Sequence, residues 1–139
     1  MTLLRSAGPR ILSNTVLATS ADTEGRYSLY RIDLPARSGG AKPHFHTRFA
    51  ESFTVLAGAP SFFDGAEWVV GGEGDHLYVP ARGVHGFRND SDEPASLLML
   101  STPGAPREDY FRELEAVAGQ DLSSTEWTEL YARHDQVMV

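Results

Sequence analysis

The sequence predicts an all-β fold, a barrel of short strands, with two α-helices packed on it at the C-terminal end. Three observations predict it. From Gly25 to about Thr102 the chain is a succession of short β-rich runs broken by Gly, Pro, Asn and Asp, the spacing of a sandwich or barrel. After Pro103 the apolar period changes from that of a strand to that of a helix. A chain of 139 residues is long enough to bury roughly 68–70% of its unfolded surface in one core without disulfides.

The elements follow in order. Residues 1–25 carry a weak pattern, with Ile11-Leu12 and Val16-Leu17 as one or two short strands separated by Ser13-Asn14. Tyr27, Leu29, Tyr30, Ile32 and Leu34 make a strand that stops at Pro35. Glu51 to Ala57 is β-rich and stops at Gly58. Ser61 to Phe63 and Glu67 to Val70 flank Asp64-Gly65, a pair suited to a type I′ hairpin turn. Leu77-Tyr78-Val79 ends at Pro80, and Val84 to Arg88 ends at the polar turn Asn89 to Pro94. Ser96 to Leu100 is a buried strand ending at Pro103-Gly104. The barrel thus spans about residues 26–103. Tyr110, Phe111, Leu114 and Val117 then recur at helical spacing over Pro106 to Ala118. Ser123 with Glu126 is a capping box for a last helix, about Thr125 to Asp135.

Composition narrows the function. With 12 Lys+Arg against 19 Asp+Glu, the net charge is −7, which argues against nucleic acid and anionic membrane surfaces as partners. No apolar run approaches a membrane span, and the N-terminus lacks a signal-peptide pattern, so the expected location is the cytoplasm. The absence of cysteine excludes thiolate metal sites, iron–sulfur clusters and a cysteine nucleophile. Any metal must be held by imidazole and carboxylate.

Pro43-His44-Phe45-His46 places two imidazoles two residues apart, on one face of a strand. Glu51 follows at an odd spacing, so Thr47 to Ala50 must bend, bulge, or pass Glu51 to the next strand, where it shares a face with Phe53 and Val55. His85 follows the turn Pro80 to Gly83 and alternates with Phe87 and Asn89 on one face. Three neutral imidazoles and a carboxylate suit Fe(II), Mn(II), Ni(II), Cu(II), Co(II) or Zn(II).

These residues make the chain resemble the cupin superfamily, specifically small single-domain bacterial cupins of the quercetinase-like branch. Their first motif runs Gly, His-x-His, four residues, Glu, six residues, Gly; here His44, His46, Glu51 and Gly58 keep that spacing. Their second motif is matched by Gly74, Pro80, His85 and Asn89. Two positions depart: Ser38 stands for the leading glycine, and Arg82 for the glycine after Pro80, with Gly83 following. The resemblance implies a double-stranded β-helix (jelly-roll barrel), with His44, His46, Glu51 and His85 as ligands of one divalent transition-metal ion. It also implies a homodimer.

Phe53 shares a face with Glu51 and Phe87 with His85; with Tyr78 and Met99 they are the expected substrate pocket. So lined, it favours an aromatic or otherwise apolar organic substrate. Asn89 is read as capping a strand end, Arg48 and Arg82 as solvated, His76 as a surface residue and His134 as a polar residue of the last helix. Tyr110 and Phe111 either lay the first helix across the barrel mouth as a lid or simply pack. The function the resemblance implies is a metal-dependent enzyme on a small aromatic or enolic substrate, most of all quercetinase-like dioxygenase chemistry. There Glu51 ligates the metal or accepts the substrate proton. The alternatives are a non-redox cyclase or isomerase of polyketide type, and a non-catalytic metal- or small-molecule-binding cupin.

Overall fold

The computed structural model describes residues 1–4 and 8–139. Among the described residues eleven strands form two antiparallel sheets. They are β1 (Arg10–Ile11), β2 (Asn14–Ala18), β3 (Ser28–Leu34), β4 (Ser38–Phe45), β5 (Ala50–Ala57), β6 (Ser61–Phe63), β7 (Trp68–Val70), β8 (His76–Val79), β9 (His85–Asn89), β10 (Ala95–Thr102) and β11 (Val137–Met138). One sheet has the order β1-β2-β3-β10-β5-β8, the other β11-β4-β9-β6-β7. Helices α1 (Arg107–Val117) and α2 (Ser124–Arg133) lie between β10 and β11. The expected all-β architecture with two C-terminal helices is the one observed. The sheets reach beyond residues 26–103 at both ends, because β1 and β2 extend the first sheet through β3 and β11 closes onto β4.

Alternation builds the core. Tyr30 and Ile32 of β3, Phe53 and Val55 of β5, and Leu97 and Met99 of β10 are buried on the inner face of the first sheet. Phe62 faces them from the second sheet, at 5.9 Å between its ring centroid and that of Phe53. Helix α1 docks on this core through Tyr110 and Phe111, the latter edge-to-face with Tyr30. The Tyr30 hydroxyl bonds the Glu108 carboxylate and accepts the Arg107 backbone N–H. Burial, then the Glu108 contact, push the Tyr30 phenol up. This buried bond fixes the start of α1 over the end of the barrel. Helix α2 carries the expected capping box: the Ser123 hydroxyl accepts from the Glu126 N–H, and the Glu126 carboxylate accepts from the Ser123 N–H.

Two elements differ from the sequence reading. Strand β4, with two glycines and Pro43, has poor strand propensity. It forms because β9 and β11 pair with its two edges, and its register against β9 shifts on either side of Ala41. These bulges accommodate the glycines and proline and bring Ala41 and His44, an odd spacing apart, to the same cavity. The hairpin turn is centred on Gly65-Ala66 rather than Asp64-Gly65. The Asp64 N–H donates to the Glu67 carbonyl, while its carboxylate accepts from the N–H groups of Ala66 and Glu67. Asp64 is thus the anchor of the turn.

Candidate metal centre

Both sheets contribute to the centre. His44 is on β4 and His46 follows it directly; His85 on β9 is the register partner of His44; Glu51 comes across from β5. The chain bends at Thr47 and Arg48 and so passes Glu51 to the opposite sheet, which resolves the odd spacing. All four side chains are buried, and one ligand atom from each lies within 4.8 Å of the others.

The orientation of the rings is set by backbone carbonyls. His44 Nδ1 donates to Lys42 O at 2.6 Å, His46 Nδ1 to Asp135 O at 2.6 Å and His85 Nδ1 to Gly83 O at 3.0 Å. A carbonyl only accepts, so each neutral ring carries its proton on Nδ1 and offers Nε2 as a lone pair. The His46 Nε2 faces Glu51 Oε1, and His85 Nε2 lies 3.5 Å from the same oxygen. Lone pairs against a carboxylate repel unless a cation lies between them. His46 Nε2, His85 Nε2 and Glu51 Oε2 are buried without hydrogen-bond partners. These orphaned atoms fit a divalent ion held by imidazole and carboxylate.

The electrostatics agree. Burial, and then the nearby His85, pull His44 down to about 3, so its ring is neutral near pH 7. An acid-sensitivity prediction follows for the metal-free protein. Unfolded His44 takes up a proton below about 6.5 whereas folded His44 does so only near 3. Protons therefore favour unfolding across that window. Urea midpoints are expected to fall steadily from pH 7 to pH 4, with a shallower fall in His44→Gln.

A cavity of about 50 Å³ lies at the centre, with His44, Glu51, His85, Phe53, Phe87 and Met99 in its wall. Three of the four expected pocket residues are therefore placed there. Tyr78 is not: it is 63% exposed on the outer face of β8, opposite Ser52, while its neighbours Leu77 and Val79 pair with the inward Phe53 and Glu51. Tyr110 and Phe111 do lie across the cavity. His76 is exposed and bonds Thr54; His134, just past α2, pairs with Glu113. Asn89 is fully buried and binds backbone carbonyls at the other end of β9 from His85.

The C-terminal segment and two further positions brace the site without a signal in the sequence. The Asp135 carboxylate accepts from Thr47 N, Thr47 Oγ1 and Arg48 N, pinning the bend between His46 and Glu51. Arg107 and Gln136 also line the cavity. These contacts join segments 29 to 88 residues apart, which local pattern does not report. Gly86 lies against the β4 bulge: a Cβ there would stand 2.8 Å from Ala41 O and 3.1 Å from Pro43 N. Arg82 has φ 70, the backbone conformation that a glycine adopts freely, and its N–H donates to His46 O at 2.6 Å. Arg82→Gly is expected to stabilise the protein by about 0.5–1 kcal/mol in urea unfolding, the left-handed strain relieved less the entropy glycine adds to the unfolded chain.

Comparison with known proteins agrees with this arrangement. Residues 30–101, just over half the chain, match the Cupin domain family. The quercetin 2,3-dioxygenase of Bacillus subtilis (strain 168) is 28% identical over 111 residues, covering 77% of this chain and 32% of that protein. The chain therefore spans about a third of the length of that relative. Among solved structures, a predicted oxalate decarboxylase from Thermotoga maritima superposes with TM-score 0.66 at 18% identity, over 73% of this chain and 98% of that one. The polyketide cyclase RemF from Streptomyces resistomycificus does so with TM-score 0.60 at 20% identity, over 76% and 82%. At these identities the likeness is one of fold. With the family matched over most of the barrel and the barrel itself in the expected form, the chain belongs to the cupins.

Proposed function

We propose that the protein is a metal-dependent enzyme acting on a small aromatic or enolic molecule, with quercetinase-like dioxygenase chemistry. One observation carries it: three imidazoles locked by carbonyls converge with Glu51, and His44, His85 and Glu51 stand in the wall of a buried, mostly apolar cavity. His44, His46, His85 and Glu51 would hold the ion, which when bound supplies Lewis acidity toward an enol or phenol oxygen. The rest of the work falls to the chain. Glu51, ionised in its buried position, stays a ligand or accepts the hydroxyl proton of the substrate. Phe53, Phe87 and Met99 wall the cavity with apolar surface and exclude water. The distant sequence similarity to a quercetin 2,3-dioxygenase supports the oxidative form.

The test is elemental analysis together with oxygen uptake on a panel of flavonols and smaller enols. Uptake that depends on the loaded metal and vanishes in His85→Ala is expected. Turnover of the same panel under strict anoxia would replace the dioxygenase with a cyclase or isomerase. A protein that takes up no metal on reconstitution would leave neither. The same reading includes a homodimer in the cytoplasm, and light scattering on the purified protein checks its mass. Among the described residues no helix is long and apolar enough to cross a membrane.

A further inference from the structure

Arg107 is 5% exposed, yet it stands in the wall of the cavity that holds Glu51, His44 and His85. Its guanidinium is only partly satisfied. Nη1 donates to the His134 carbonyl and Nη2 to Gln136 Oε1, both at 2.8 Å, while the buried Nε–H has no partner. Among the described residues no carboxylate forms an ion pair with it. Its ring contacts are with Tyr110, 4.4 Å from the centroid, and Phe49 at 5.6 Å.

A buried cation with a free donor is costly unless something negative meets it. Glu51 is the acid that shares its cavity, and Glu51 also faces His46 and His85. A divalent ion there would consume that negative charge and leave the cavity with two positive charges in excess. Arg107 is held in place on three sides: by the docking of α1 on Tyr30, by the His134 carbonyl and by Gln136, whose amide in turn donates to the Tyr110 hydroxyl. Such a fixed fork is suited to an oxyanion.

We propose that Arg107 recognises an anionic oxygen group, a carboxylate or enolate, on the substrate, so that the substrate class is a small apolar acid or enol. The volumes divide the molecule. A cavity of about 150 Å³ takes a benzene ring, so one of about 50 Å³ accepts a head group and not a ring. The apolar body then lies in a neighbouring pocket of about 190 Å³, which shares Ile32, Phe87, Tyr110 and Phe111 as walls and is completed by Leu34 and Leu114. The proposal rests on the cavity being a substrate site, as in the proposed function, and extends it to a charge requirement.

The probes are benzoate and its neutral isostere benzamide, titrated by calorimetry into the zinc-loaded and the metal-free protein. Benzoate is expected to bind the loaded protein about 10–100-fold more tightly than benzamide, the ratio of a charge-assisted hydrogen bond. Arg107→Gln is expected to remove most of that preference with zinc stoichiometry unchanged. If Arg107→Gln does not fold, Arg107→Lys decides, since it keeps the charge but loses the fork. Its benzoate affinity is expected to fall about fivefold or more while benzamide binding stays the same. Equal binding of the two probes by the wild type, a preference retained in Arg107→Gln, or an unchanged benzoate affinity in Arg107→Lys would each overturn the proposal. A protein that takes up no zinc refutes the metal centre alone; a benzoate preference in the metal-free form that Arg107→Gln abolishes would still support the role of Arg107.

Discussion

Loading with a divalent transition-metal ion is expected to raise the melting temperature by about 8–10 °C, and His85→Ala is expected to abolish the rise. A ligand bound only by the folded state, present at about 100 times its dissociation constant, adds about 2.7 kcal/mol. For a chain near this size each kcal/mol moves the midpoint by about 3–4 °C. The effect is large because the ion relieves an existing conflict: His46 and His85 present lone pairs to a buried carboxylate that has no other partner. Replacing His85 removes one donor and leaves a gap beside Glu51. The loss of metal affinity should exceed the roughly 10–100-fold typical of changing a group behind a ligand. Differential scanning fluorimetry with and without metal, beside elemental analysis of both proteins, measures it. The same midpoint in the presence and absence of every metal tried would contradict the centre.

Asn89→Ala is expected to cost about 3–4 kcal/mol of stability while leaving metal stoichiometry unchanged. Asn89 is fully buried, and its amide donates to Pro35 O at 3.0 Å and Glu93 O at 2.8 Å, while its carbonyl oxygen accepts from Ser91 N and Ser91 Oγ. One side chain thus joins the exit of β3, the end of β9 and the turn into β10. Alanine removes these four hydrogen bonds, worth about 0.5–1.5 kcal/mol each, and loosens the turn. His85 sits at the opposite end of β9, about 13 Å away along the strand, so the metal site should survive. Asn89→Asp separates bridging from packing: it retains the acceptor but sets a carboxylate oxygen against the same carbonyls, and it is expected to be at least as damaging. The check is a lowered urea midpoint at constant slope.

Much of this centre is legible in the sequence. Period-two alternation puts His44 and His46 on one face and His85 on one face with Asn89, but the odd step to Glu51 and the distant His85 join them only through the spacing shared with the cupins. The helix starting after Ser123 is equally legible, because a capping box is a local hydrogen-bond pattern. Tyr78 is misplaced by a reading from alternation alone: in Leu77-Tyr78-Val79 the inner face belongs to whichever residues pair with Phe53 and Glu51 across β5, and those are Leu77 and Val79. Strand β4 escapes such a reading because its glycines and proline hide a strand whose pairing comes from β9 and β11.

The sequence by itself determined the barrel and the two helices, because each element is encoded by residues within a few positions of one another, and it named four candidate ligands through the spacing shared with the cupins. Tertiary structure alone decided the tautomers and the second wall of the cavity. Asp135 reaches back 89 residues to orient the His46 ring, and Gln136 and His134 reach back to fix Arg107. Hydrogen bonds of that span depend on how α1 and α2 fold over the barrel mouth, and no local periodicity carries them. The five histidines and the missing cysteine thus prescribed imidazole–carboxylate chemistry, while the packing of the C-terminal segment set which nitrogen faces the cavity and placed a buried cation beside it.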